Sequence, residues 1–174
     1  MESFLWIVLS YFIGAIPSGY IIGKVFYHVD LKKTGSGNIG ATNAYRELGV
    51  VAGLSVFICD FLKGFIAVHL GMPDPLIVLA CAIAAIVGND WSIFLHFKSG
   101  KGVACGVGAF AYISAPAVLC AFAVWLLVFK AKHIVSLSSI IAAPVVALVL
   151  LIEGASAEYV IFAASRDCYR EAQR

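Results

Sequence analysis

Apolar runs long enough to cross a bilayer recur along this chain, at residues 4–26, 50–70, 76–95, 103–129 and 134–152. They decide the class of fold before any other feature is read. A hydrocarbon core of about 30 Å needs roughly 20 apolar residues per helical crossing, about twice the length of a barrel strand. Every peptide group in that core must be hydrogen-bonded within the protein, so runs of this length are helices. With 62% hydrophobic residues, 13% charged residues and a mean hydropathy of +0.98, the chain lies outside the range of soluble domains. The expectation is an all-α, polytopic integral membrane protein that uses residues 1–174 as a single domain. The first run has no basic segment ahead of it and is long enough to span, so it reads as the first helix rather than a signal peptide. Pro17 and Gly19 predict a kink within it, with Lys24 snorkelling at its far end.

Between the first two runs lies a polar segment, residues 28–49, centred on Thr-Gly-Ser-Gly-Asn-Ile-Gly-Ala-Thr-Asn-Ala-Tyr-Arg at 34–46. Gly35, Gly37 and Gly40 allow positive φ and close approach, so successive N–H groups can converge on an anion. Ser36, Asn38, Thr42 and Asn43 add neutral donors, and Arg46 adds a fixed charge. Gly35 to Gly40 also fits G-x-G-x-x-G, but no strand precedes it and no βαβ unit surrounds it, which excludes the dinucleotide reading. A second stretch of similar chemistry runs from His96 to Gly102 and contains Lys98, Gly100 and Lys101. Asp60 and Lys63, three residues apart in mid-span, share a helix face and can pair; the pattern leaves open whether the pair is structural or functional.

Charge placement sets the number of crossings. Residues 103–129 read either as one span or as two short helices broken near Ser114, Ala115 and Pro116. Two helices give seven crossings, with Lys32, Lys33, Arg46, Lys98, Lys101, Lys130, Lys132, Arg166, Arg170 and Arg174 on one face. Glu2, Asp74, Glu153 and Glu158 then lie on the other, without a Lys or Arg. The positive-inside tendency favours this arrangement, which puts the N-terminus outside and the C-terminus in the cytoplasm. The two central helices are expected to be short. A helix over 134–152 opens with Ser136, Ser138 and Ser139 on the basic side, where free N–H groups favour an anion or a cap. A short last helix is expected over residues 155–170.

The remaining residues exclude several chemistries. A formal charge of +2 gives no case for nucleic acid. Five cysteines without C-x-x-C spacing predict neither disulfides nor zinc, and the acidic residues are too scattered for a metal site. His28, His69, His96 and His133 are isolated, and no nucleophile elbow or H-E-x-x-H motif is present. What is left suits substrates that already carry phosphate and a good leaving group, with no cofactor.

The segment GSGNIGATNAYR, Asp60-x-x-Lys63-Gly64, the K-x-G-K-G-V-A at Lys98 to Ala104 and the V-S-L-S-S-I at Val135 to Ile140 closely resemble the bacterial acyl-phosphate:glycerol-3-phosphate acyltransferase family over nearly the whole chain. The resemblance implies seven helices in the bacterial inner membrane and an active site near the cytoplasmic face. It also implies transfer of a fatty acyl group from acyl phosphate to the 1-hydroxyl of glycerol 3-phosphate, giving lysophosphatidic acid. Membrane lipid and the acyl-phosphate-forming enzyme are the implied partners. By the same resemblance Ser36, Asn38, Arg46, Lys101, Ser138 and Ser139 stand at phosphate- and substrate-binding positions; Ser36, Asn38, Lys101 and Ser139 are the expected catalytic residues, and Gly35, Gly37, Gly40, Thr42, Asn43, Gly100 and Gly102 are expected to bind phosphate by their own chemistry. Asp60 and Lys63 support them. The chain departs from the family pattern at Asn89, Ser99 and Cys105, and in the tail at Ser165 to Tyr169, where a His and an Asn-Ile are expected. Two rival functions follow: a weakly active or inactive relative that binds phosphorylated lipids, and a small anion transporter.

Overall fold

The computed structural model describes residues 2–97 and 99–163, and contains no β-strand among them. The chain divides into two compact units at Ala109/Phe110.

In the first unit the opening apolar run is two helices, α1 (Glu2–Ala15) and α2 (Ser18–Phe26). Pro17 breaks the run where expected, because it has no N–H and drives the preceding residue out of the helical region. The break frees the last carbonyls of α1, and buried side chains take them up. Ser92 Oγ donates to the Ala15 carbonyl, and Lys63 Nζ donates to that of Ile16. Lys63 also pairs with Asp60 Oδ1 at 2.7 Å, and the same oxygen accepts from Ser18 Oγ at 2.6 Å, at the start of α2. Asp60 and Lys63 therefore clasp the broken span to the helix that carries them, α4 (Val50–Leu70).

Between α2 and α4 the polar segment contains an eight-residue helix, α3 (Ala41–Leu48), bounded by Gly40 and by Gly49 at φ 93°. Asp74 caps the next helix, α5 (Pro75–Asp90), accepting from the Leu76 and Ile77 N–H groups with Pro75 in the first turn. A short 3₁₀ turn, Ile93–Leu95, follows it. Helices α1 and α5 approach closely because each offers a glycine. A Cβ on Gly14 would collide with the Ala85 carbonyl, and one on Gly88 with that of Tyr11. Gly64 of α4 and Gly108 of α6 (Val103–Ile113) repeat the device: their added Cβ atoms would strike the carbonyls of Cys105 and Phe61. With no hydrophobic drive between helices in lipid, such backbone-to-backbone contact supplies the packing.

The second unit is dominated by α7 (Ala115–Lys132) and α8 (Val135–Ile152), joined through His133 in the left-handed region at φ 54°. Ser114 caps α7 by accepting from the Ala117 N–H at 3.1 Å, and its hydroxyl donates to Glu153 Oε2 at 2.7 Å. That contact ties the start of α7 to the end of α8. Phe110 packs against Phe162 with ring centroids 5.4 Å apart and planes tilted by 30°, holding the helical residues 157–163 to this unit.

Among the described residues, five stretches are long and apolar enough to cross a membrane: Glu2–Phe26, Val50–Leu70, Pro75–Leu95, Ala115–Lys132 and Val135–Ile152. Helix α6, with 11 residues, is short as expected. Helix α7 is not. Its 18 residues run through Lys130 and Lys132, whose stems can extend along lipid to the interface.

Candidate functional site

The polar segment is folded from an apolar anchor outward. Leu31, Ile39, Ala44, Val56 and Leu95 form one buried cluster, with Tyr20, Ile22, Ala41 and Leu48 packed against it. Two loop residues, one from α3, one from α4 and one from the segment ahead of Lys101 thus share a core. Both polar stretches of the first unit are tied to it.

Around that anchor the loop satisfies part of its own backbone. The Asp30 carboxylate accepts the Lys32 N–H at 3.1 Å, and the Asp30 carbonyl accepts the Lys33 N–H at 2.9 Å and the Thr34 hydroxyl at 3.3 Å. Gly35 and Gly37 sit at φ 56° and 71°, a region their missing Cβ makes accessible. The Gly37 N–H closes a turn on the Thr34 carbonyl at 3.0 Å, and Asn38 Oδ1 accepts the Gly40 N–H at 2.7 Å. Helix α3 then starts at Gly40 with no side-chain cap. Its first-turn N–H groups face the direction in which the helix dipole favours an anion.

The candidate residues fall into two kinds. Ser36, Thr42, Arg46 and Lys101 are exposed, and none of these side chains has a partner among the described residues. Asn43 is the opposite, only 4% exposed. The sequence reading places it among the phosphate-binding donors; in the structure its amide is taken up by loop backbone, donating to the Thr34 carbonyl at 3.1 Å and that of Asn38 at 2.8 Å, and accepting the Ser36 N–H at 3.0 Å. It shapes the loop and offers nothing outward.

Lys101 follows Gly100, whose N–H donates to the Asn89 carbonyl at 2.9 Å, and precedes Gly102 at φ 56°. Asn89, one of the departures from the family pattern, ends up beside this loop. Its carbonyl holds the Lys101 loop, and a Cβ on Gly100 would sit 3.1 Å from its amide nitrogen.

Ser138 and Ser139 belong to the second unit. Ser138 Oγ is buried and donates to the Ile134 carbonyl at 2.9 Å; Ser139 Oγ donates to Val135 O at 3.0 Å and accepts from Trp125 Nε1 at 3.1 Å. They bond back along their own helix instead of capping it, and Ile134 occupies the cap position. Asp60 and Lys63 are committed to the Pro17 break, so this ion pair is occupied and gives no support to a transport path. Lys98 and the tail residues Ser165 to Tyr169, Arg170 and Arg174 lie outside the described residues.

Comparison with known proteins identifies the family. A family model described as glycerol-3-phosphate acyltransferase matches residues 4–168. Glycerol-3-phosphate acyltransferase 2 of Moorella thermoacetica is 42% identical over 160 residues, covering 91% of this chain and 82% of that protein. A glycerol-3-phosphate acyltransferase of Lacticaseibacillus casei is 45% identical over 139 residues, covering 78% of this chain and 67% of its own. Among solved structures, PlsY, an integral membrane glycerol 3-phosphate acyltransferase, superposes in its glycerol 3-phosphate form with a TM-score of 0.92 at 34% identity, covering 99% of this chain and 90% of that one. Its lysophosphatidic acid form gives a TM-score of 0.89 at 33% identity, over 97% and 85% of the two chains. By a family match over nearly its whole length and by relatives above 40% identity, this chain belongs to the glycerol-3-phosphate acyltransferase family.

Proposed function

We propose that this protein transfers a fatty acyl group from acyl phosphate to the 1-hydroxyl of glycerol 3-phosphate, releasing lysophosphatidic acid and orthophosphate. The observation that carries the assignment to a site is the partition of the first unit's polar loops. The carbonyls of Leu31, Thr34 and Asn38 are taken up inside the loop, while the side chains of Ser36, Thr42, Arg46 and Lys101 are exposed and unpaired among the described residues. Such a surface suits substrates that are both phosphates.

An acyl phosphate is a mixed anhydride, so its acyl carbon is already activated. The acceptor oxygen forms a bond to that carbon, the bond from the acyl carbon to the bridging phosphate oxygen breaks, and the hydroxyl proton passes to a phosphate oxygen. No side-chain base is needed on this path. The protein supplies orientation and a charge field: Lys101 balances the negative charge growing on the departing phosphate, and the loop N–H groups, Ser36 and Arg46 hold the anions in line. A water-poor interface enlarges each of these electrostatic contributions.

The finer topology belongs to the same reading. With α6 and the helix that begins at residue 157 added to the five long stretches, the chain crosses seven times. The basic loops then face the cytoplasm from the bacterial inner membrane, where an acyl-phosphate-forming enzyme delivers the donor. Labelling of a cysteine introduced near His133 from the cytoplasmic side only supports seven crossings, and labelling from the periplasm only overturns them. The activity is tested with purified protein, palmitoyl phosphate and glycerol 3-phosphate. Orthophosphate release that depends on glycerol 3-phosphate supports the assignment. Phosphate binding without transfer would make the chain an inactive relative.

A further inference from the structure

We propose that Asn43 is the positioning residue of the anion-binding loop: a single buried amide that turns three of the loop's carbonyls inward and thereby the N–H groups of Gly35 and Ile39 away from it. This rests on the reading above, in which that loop holds phosphate.

Asn43 Nδ2 stands 2.8 Å from the Asn38 carbonyl, 3.1 Å from that of Thr34 and 3.3 Å from that of Leu31. Its Oδ1 accepts the Ser36 N–H at 3.0 Å. One side chain thus reaches four peptide groups across the loop. The consequence follows from peptide geometry. In a trans peptide the C=O of one residue and the N–H of the next point in opposite directions. Pinning the carbonyls of Leu31, Thr34 and Asn38 toward Asn43 turns the N–H groups of Lys32, Gly35 and Ile39 away from it. The Lys32 N–H indeed meets the Asp30 carboxylate on the other side. The N–H groups of Gly35 and Ile39 have no hydrogen-bond partner among the described residues. The Asn43 oxygen fixes the Ser36 peptide as well, so the placement of the exposed Ser36 hydroxyl depends on it.

The residue type is dictated by this task. Asparagine alone combines two donors and an acceptor on a side chain this short. Aspartate would set a charge against three carbonyl oxygens, and glutamine would carry the amide past them. Gly35 is coupled to the same atom, since a Cβ there would collide with Asn43 Oδ1.

The test compares Asn43→Asp, Asn43→Ala and Ser36→Ala in the intact membrane protein, with inorganic phosphate as competing ligand. Melting temperature is measured alongside. For both Asn43 variants the inhibition constant of orthophosphate and KM for glycerol 3-phosphate should rise about tenfold or more, the loss of one or two hydrogen bonds to an anion. A purely structural role would lower the melting temperature and the amount of active enzyme, and so the apparent kcat, while leaving both constants unchanged. If Ser36→Ala weakens phosphate binding and the Asn43 variants do not, the loop is the cradle but Asn43 does not set it, and the inference is overturned. If no variant changes phosphate binding, the reading beneath it fails as well. Should the Asn43 variants not fold, amide exchange in the unaltered protein decides. Saturating orthophosphate should slow exchange at Gly35 and Ile39, and unchanged exchange at both overturns the proposal.

Discussion

Replacing both members of the Asp60–Lys63 pair should damage this protein less than replacing either one. Each side chain is at most 10% exposed. Asp60→Leu leaves the Lys63 ammonium with only the Ile16 carbonyl and strips the Ser18 hydroxyl of its acceptor. Lys63→Met leaves a buried carboxylate with Ser18 as its one donor. An uncompensated buried charge costs about 3–5 kcal/mol, a large share of a total stability of about 5–15 kcal/mol. The double variant buries no charge. It orphans the Ser18 hydroxyl and one lone pair of the Ile16 carbonyl, which still accepts the Ser18 N–H at 3.0 Å. Its cost is therefore about 1–3 kcal/mol. The assay is a double-mutant cycle on unfolding in detergent, with acyl transfer measured on each folded variant. A double variant as unstable as the two single losses combined would refute the clasp. A double variant that folds as predicted but has lost turnover would show that the pair also acts in the reaction.

The other expectations concern the loop and the helix contacts. Lys101→Ala should lower kcat/KM by about 10²- to 10³-fold or more, and by more than Ser36→Ala, because it removes a charge rather than a neutral donor. Lys101→Arg should restore only part of the loss, since a planar fork cannot sit where an ammonium does between two glycines; steady-state kinetics on folded protein checks both. Gly88→Ala should destabilise by about 1–3 kcal/mol through its collision with the Tyr11 carbonyl, read as a lower melting temperature with KM unchanged. Glu153→Gln keeps an acceptor for Ser114 and should cost less than Glu153→Ala in the same melting assay.

The spans were readable because lipid imposes length and hydropathy on every crossing, and proline imposes the break at residue 17. The left-handed backbone at Gly35 and Gly37 was readable from glycine spacing. Two features were not. Helix α3 hides in a polar segment because eight residues without a side-chain cap leave no start signal, and only the flanking Gly40 and Gly49 mark its ends. The inward turn of Asn43 hides because Thr42 and Asn43 are alike as donors in the sequence. Which one faces the core depends on the phase of that unrecognised helix, and Ala44 in the buried cluster fixes the phase. Pro116 marks the start of α7, as its place in the first turn allows, but the apolar run ends at residue 129 and does not show that the helix continues through Lys130 and Lys132.

The cluster of Leu31, Ile39, Ala44, Val56 and Leu95 has a kinetic meaning beyond packing. Segments that work as lids open on their own because few apolar contacts hold them down. Here the glycine-rich stretch is nailed at Leu31 and Ile39 to the same atoms that join α3 to α4, so lifting it means parting those helices. Substrate must then reach the loop without the loop itself lifting. No gate needs to swing between turnovers, and on warming, catalysis and fold should fail together in one transition.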